Sequence, residues 1–170
     1  MTDRLPDRPK ASASAATNRR KVLQIVPAAL GAAGLMAVFA HRADAKAAVE
    51  LQISSDGEFL AFTPDKLTCR TGDYVRVIFR HAGERIKHQH NWVLLKPGTE
   101  EAFITASLAA GESKGWIPPG DTRIIAATPL CGPGMSAMAE FMAPAPGEYP
   151  FICSFAGHGG EMRGMLHVTA

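Results

Sequence analysis

Tyr149-Pro150-Phe151-Ile152-Cys153-Ser154-Phe155-Ala156-Gly157-His158-Gly159-Gly160-Glu161-Met162 is followed at once by Arg163-Gly164-Met165-Leu166-His167-Val168. The two ends read as short apolar strands, with Cys153 closing the first and Met162 preceding the second. Between them Cys, His and Met recur as C-x4-H-x3-M, beside Ala156, Gly157, Gly159 and Gly160. Small residues at those positions let a loop of this length fold around a single ion. Thiolate and thioether suit Cu(I), and imidazole with thiolate also holds Cu(II), so the donor set favours copper. Zinc prefers Cys, His and carboxylate, and the thioether of Met162 speaks against it. One more imidazole completes a trigonal set, and His90 is the candidate.

Strand signals continue upstream. Val49-Glu50-Leu51-Gln52-Ile53 and Tyr74-Val75-Arg76-Val77-Ile78-Phe79 alternate apolar and polar residues, and Trp92-Val93-Leu94-Leu95 is an apolar run closed by Pro97-Gly98. Gly72-Asp73 and Pro119-Gly120-Asp121 mark turns. One stretch reads as a helix: Thr99 caps it, Glu100 and Glu101 suit its positive end, Ile104 and Leu108 share a face, and Gly111 stops it. The fold expected is all-β, a sandwich with one short helical insertion. With 170 residues, 46% hydrophobic and 20% charged, the chain fits one globular domain plus a leader. Eight Phe exclude disorder throughout, and three Cys are too few for a disulfide-built miniprotein.

Residues 1–45 read as a cleavable signal peptide. Arg19 and Arg20 precede an apolar run from Ile25 to Ala40, and Ala43-Asp44-Ala45 places small residues where a signal peptidase cuts. The context Thr17-Asn18-Arg19-Arg20-Lys21-Val22-Leu23-Gln24 resembles a twin-arginine signal, and an ordinary secretory leader is the alternative. The longest uncharged apolar stretch, Val22 to Ala40, is interrupted by Gln24 and Pro27, so no permanent membrane span is expected once the leader is cut. Residues 46–170 form the exported domain, and its expected location is the periplasm. The leader holds seven Lys/Arg against three Asp/Glu, leaving eleven against thirteen in the body. The formal charge of +2 therefore belongs to the leader, and nucleic-acid binding is excluded.

His90-Asn91-Trp92-Val93-Leu94, together with Cys153-x4-His158-x3-Met162-Arg163-Gly164, resembles the small blue-copper proteins (cupredoxins), specifically the azurins and auracyanins. Pro64 to Cys69 and Asp121 to Ala126 are similar to azurin, and Pro144 to Tyr149 and Gln89 to Trp92 to auracyanin. The resemblance implies a Greek-key β-sandwich with one type 1 copper held by His90, Cys153 and His158 in a plane and Met162 as a long axial contact. Azurin places a glycine carbonyl opposite; Gln89 stands there in this chain, and its backbone carbonyl would take that role. Asn91 would tie the two ligand loops together, and backbone amides near Ser154 and Phe155 would bond the thiolate. The azurin disulfide does not carry over, because Ala47-Ala48-Val49 stands where the partner of Cys69 belongs. A bridge from Cys69 to Cys131 and two separate buried thiols both stay open.

The function so implied is a shuttle of single electrons between redox proteins such as c-type cytochromes or copper and molybdenum oxidoreductases. Coordination closed by protein ligands leaves no open position for substrate, so no catalysis is expected. His158, between Gly157 and Gly159, would lie nearest solvent, with Pro133, Met135, Ala156 and Gly160 as an apolar docking patch. A periplasmic copper chaperone or store is the competing class, and the stretch Met135 to Met142 suits it. His88-Gln89-His90 resembles the H-x-H pairs of multicopper oxidases, but Ile152 and Ser154 flank Cys153 where those enzymes place His. His88 therefore reads as a residue outside the ligand set, and His81 and His167 lack partners at ligand spacing.

Overall fold

A computed structural model describes residues 48–85 and 87–170. The leader and its cleavage site lie outside the described residues. Among the described residues nine strands follow in chain order: β1 Val49–Ser55, β2 Phe62–Thr63, β3 Lys66–Arg70, β4 Tyr74–Arg80, β5 Val93–Leu95, β6 Ile124–Ala127, β7 Ser136–Met142, β8 Gly147–Ile152 and β9 Arg163–Thr169, with one α-helix, α1 Glu100–Ala110, and a short 3-10 helix, Glu112–Lys114, between β5 and β6. They form a sandwich of a four-stranded sheet, β2-β1-β4-β7, and a five-stranded sheet, β3-β9-β8-β5-β6. β1 runs parallel to β4, and β3 runs parallel to β9.

Alternation explains the packing. Val75, Val77 and Phe79 of β4 turn inward with Ala139 and Phe141 of β7, against Leu67, Leu94, Phe151, Leu166 and Val168 of the other sheet. Trp92 lies among them, its ring 5.8 Å from Phe151 and 6.0 Å from Phe141. The run Val93-Leu94-Leu95 does not alternate because both of its faces are covered. Leu94 joins the sandwich core, while Val93 and Leu95 pack with Ile152 of β8 and Phe103 of α1.

Helix α1 begins and ends where the sequence indicates. Thr99 occupies the cap position, but its hydroxyl donates to Lys96 O (2.6 Å) and makes no side-chain cap bond. Gly111 ends the helix with φ +71°, a conformation that favours glycine. The buried face differs in part from the Ile104/Leu108 expectation: Phe103 and Ser107 are buried, Ile104 is half-buried beside Phe103, and Leu108 is 49% exposed. The large ring of Phe103 fills the space over β5 and β8, which sets the rotation of the helix. Among the described residues no helix is long and apolar enough to cross a membrane.

Strand registers bring three connections to one end. Arg80 pairs with Ser136, Val93 with Ala127 and Ile152, and Ile152 with Arg163. The β4–β5, β6–β7 and β8–β9 loops therefore start from neighbouring strand ends, and all the candidate ligands lie on the first and third of them.

Candidate metal centre

His90 Nδ1, Cys153 Sγ and His158 Nδ1 converge. Each nitrogen lies 3.7 Å from the sulfur, and the two nitrogens are 3.1 Å apart. Donor atoms bound to one ion at about 2.0–2.3 Å stand at separations of this order. At 3.1 Å at most one imidazole can keep its hydrogen on Nδ1, so the donors fit a cation better than they fit one another. Cys153 is fully buried, and His90 and His158 are each 4% exposed.

Backbone bonds hold this geometry. His90 is tied to Cys131 in both directions, N–H to O at 3.0 Å and O to N–H at 2.9 Å. The ligand loop is knit internally: Met162 N–H donates to His158 O (2.8 Å), and Cys153 N–H donates to Met162 O (3.0 Å). Met162 is fully buried on this loop, and the exposed Gln89 precedes His90 on the other. Arg163 donates from Nε and Nη2 to Gly159 O at 3.1 and 2.7 Å. Gly159 sits so close to α1 that a Cβ there would stand 2.9 Å from Ile104 Cγ1. The helical insertion thus buttresses the loop that presents His158.

Asn91 and Ser154 join the two loops side chain to side chain. Asn91 Nδ2 donates to Ser154 Oγ (2.8 Å), and Ser154 N–H donates to Asn91 Oδ1 (2.9 Å). The amides aimed at the Cys153 sulfur are those of Asn91 and Phe155. Of the two positions singled out in the sequence, Phe155 serves the sulfur directly, and Ser154 serves it through Asn91.

Burial dominates the electrostatics. It raises the Cys153 thiol to about 11, against the pull of the two amides. It lowers His90 to about 3, helped by His81, His158 and His88, and His158 to about 4, helped by His88 and His81. Near neutral pH both imidazoles are uncharged and ready to donate, and an ion displaces one proton from the thiol.

These values carry a stability consequence. Between pH 4 and 6.5 the unfolded chain binds protons at both histidines that the folded, metal-free protein refuses. Stability is present above pH 6.5 and falls with acidity, by up to about 1.4 kcal/mol per pH unit for each imidazole. Asp121, held low by Arg123, and Glu140, held low by Tyr74 and Arg76, add their loss only in more acid solution. Urea midpoints of metal-free protein should therefore drop between pH 7 and pH 5; equal midpoints would contradict the burial of the two rings.

Three partners of the site escaped the sequence reading. His81 is buried at 1% exposure with its ring 4.5 Å from that of His90. Its signal was parity, since residues 75, 77 and 79 of the alternating strand point inward and 81 continues the series. Thr128 Oγ1 accepts the Trp92 N–H at 3.0 Å, and Cys131 supplies the bridge to His90. Cys69, Cys131 and Cys153 are free buried thiols, so Cys69 and Cys131 are not bridged. His158 is no more exposed than His90, contrary to its expected place nearest solvent, because the rings of His88 and Phe155 lie against it. Of the apolar patch expected around it, Met135 is 60% exposed and Gly160 is open, while Pro133 and Ala156 are half-buried.

Residues 47–169 match the family described as copper binding proteins, plastocyanin/azurin family. The chain is similar to auracyanin-A of Chloroflexus aurantiacus, 34% identical over 149 residues that cover 86% of this chain and 91% of that protein. An azurin of Pseudomonas denitrificans is 35% identical over 129 residues, 72% of this chain and 98% of the azurin. The solved structure of the blue copper protein auracyanin A from C. aurantiacus superposes with a TM-score of 0.66 at 37% identity, over 71% of this chain and 98% of the other. The buried His-Cys-His cluster, the sandwich that frames it and these similarities agree: the chain belongs to the plastocyanin/azurin family of blue copper proteins, with copper as its cofactor.

Proposed function

We propose that this protein is a periplasmic electron carrier with a type 1 copper site, exported by the twin-arginine route and cut after Ala45. His90, Cys153, His158 and Met162 would hold the copper, and the Gln89 backbone carbonyl would add a further contact. The observation that supports this most is the convergence of two imidazole nitrogens and one thiol sulfur in a pocket closed to water. When bound, copper alternates between Cu(I) and Cu(II) and so accepts or gives up one electron. The protein's part is to keep the donors in place through that change. The Asn91–Ser154 latch fixes one loop to the other, and the Asn91 and Phe155 amides favour the thiolate. A ligand set closed in this way offers no position for substrate, so the reaction is electron exchange with c-type cytochromes or with copper or molybdenum oxidoreductases.

Met162→Leu tests the carrier reading. Leucine fills a similar volume, so the fold should hold. Copper should stay bound and blue, while the reduction potential rises because the thioether no longer favours Cu(II). A rise of about 60 mV corresponds to tenfold in a one-electron equilibrium, readable as a shift in electron exchange with a reduced c-type cytochrome. If the variant sheds copper readily, and the wild type exchanges electrons with no redox protein tried, a copper chaperone or store replaces the carrier.

A further inference from the structure

The loop before His90 is built with care for a residue outside the ligand set. His81 Nδ1 accepts the Gly83 N–H at 3.1 Å, so its other nitrogen carries the hydrogen and donates to the His88 carbonyl at 2.9 Å. Ala82 N–H donates to Ser55 Oγ (2.8 Å), and the Glu84 and Arg85 amides donate to Glu58 Oε1 at 2.7 and 2.9 Å. Only glycine fits at 83, where a Cβ would stand 2.9 Å from both Gly57 O and His81 Cε1. The loop is thus moored to the β1–β2 turn on one side and to buried His81 on the other. What it presents is an exposed imidazole, that of His88, stacked on Phe155 at 6.0 Å and 23° and centred 5.3 Å from the ring of His158.

On the type 1 copper reading above, the buried donors need a way to receive an ion from water. We propose that His88 is the landing ligand: its imidazole takes copper from solvent and passes it to His158, and it is not part of the final set. Imidazole binds copper in either charge state. Once the ion is held on His88, transfer to the adjacent ring is an intramolecular step at high effective concentration. Alanine at this position would leave Phe155 against His158 but would take away the other covering ring and the donor in front of it.

The test is the rate of copper uptake. Metal-free protein is mixed with Cu(II) sulfate, with the copper-bound fraction followed by mass spectrometry and the blue absorption in parallel. His88→Ala should slow uptake roughly tenfold or more. It should slow copper loss to a chelator by the same factor, because a stepping stone speeds both directions and leaves affinity and final spectrum unchanged. Lys87→Ala, which leaves the imidazole in place, should keep the wild-type rate. Uptake unchanged or faster in His88→Ala would overturn the proposal, and so would weaker final affinity or an equal slowing in Lys87→Ala. Failure of the type 1 reading looks different: copper-loaded wild type would be pale, whatever the relative rates.

Discussion

Cys153→Ser is expected to abolish the blue colour of the copper-loaded protein. The colour arises from charge transfer between a thiolate sulfur and Cu(II), and no other sulfur in the His90–Cys153–His158 cluster can replace this one. A serine hydroxyl stays protonated in a pocket that already holds the more acidic thiol at about 11. The fold should survive, since the oxygen can still accept from the Asn91 and Phe155 amides, and colour loss then reports on chemistry and not on unfolding. Visible absorption at a measured copper content decides. An intensely blue serine variant would move the thiolate role elsewhere, and a pale wild type with Cys153 intact would end the type 1 assignment.

Gly164→Ala should cost the most stability of any glycine-to-alanine change at the described residues. A Cβ at 164 would fall onto the Asp65 carbonyl oxygen and the ring edge of Phe151. Neither can retreat. Asp65 O accepts the Met165 N–H at 2.9 Å where β3 meets β9, and the Phe151 ring is wedged 5.3 Å from Phe62 and 5.8 Å from Trp92. The loss expected is about 3 kcal/mol, the upper end for overpacking, read as a lower denaturant midpoint at unchanged slope. Gly160→Ala is the internal control, because a Cβ there meets nothing within 4 Å and the backbone needs no positive φ. Equal midpoints for the two variants would mean that β9 starts in softer surroundings than its contacts indicate.

Most of the frame was legible in the sequence because alternation and punctuation are local. Residues 49–53 and 74–79 announce β1 and β4, and the C-x4-H-x3-M spacing alone marks the candidate ligand loop. What escaped depends on distant packing. Ile104 and Leu108 have proper helical spacing, yet the surface of β5 and β8 centres on Phe103 with Ile104 beside it and leaves Leu108 outside. Thr128 serves Trp92 from 36 residues away, and the bond from His81 to His88 O needs a loop that returns on itself. Gly164 belongs to the motif that carries the family resemblance, and only its neighbours Asp65 and Phe151 reveal why nothing larger fits.

The parallel pairing of β3 with β9 also governs when this molecule can become whole. Cys69 and Thr169, bonded at the end of that ladder, are 100 residues apart. During synthesis β3 must wait, an unmated edge, until β9 has been made. Both copper-loop segments are made before the strand that closes the sheet beside them. Closure of that sheet is therefore non-local, and such closure is slow. Until β9 arrives, Cys69 of β3 lacks Val168, the neighbour it faces in the finished sheet.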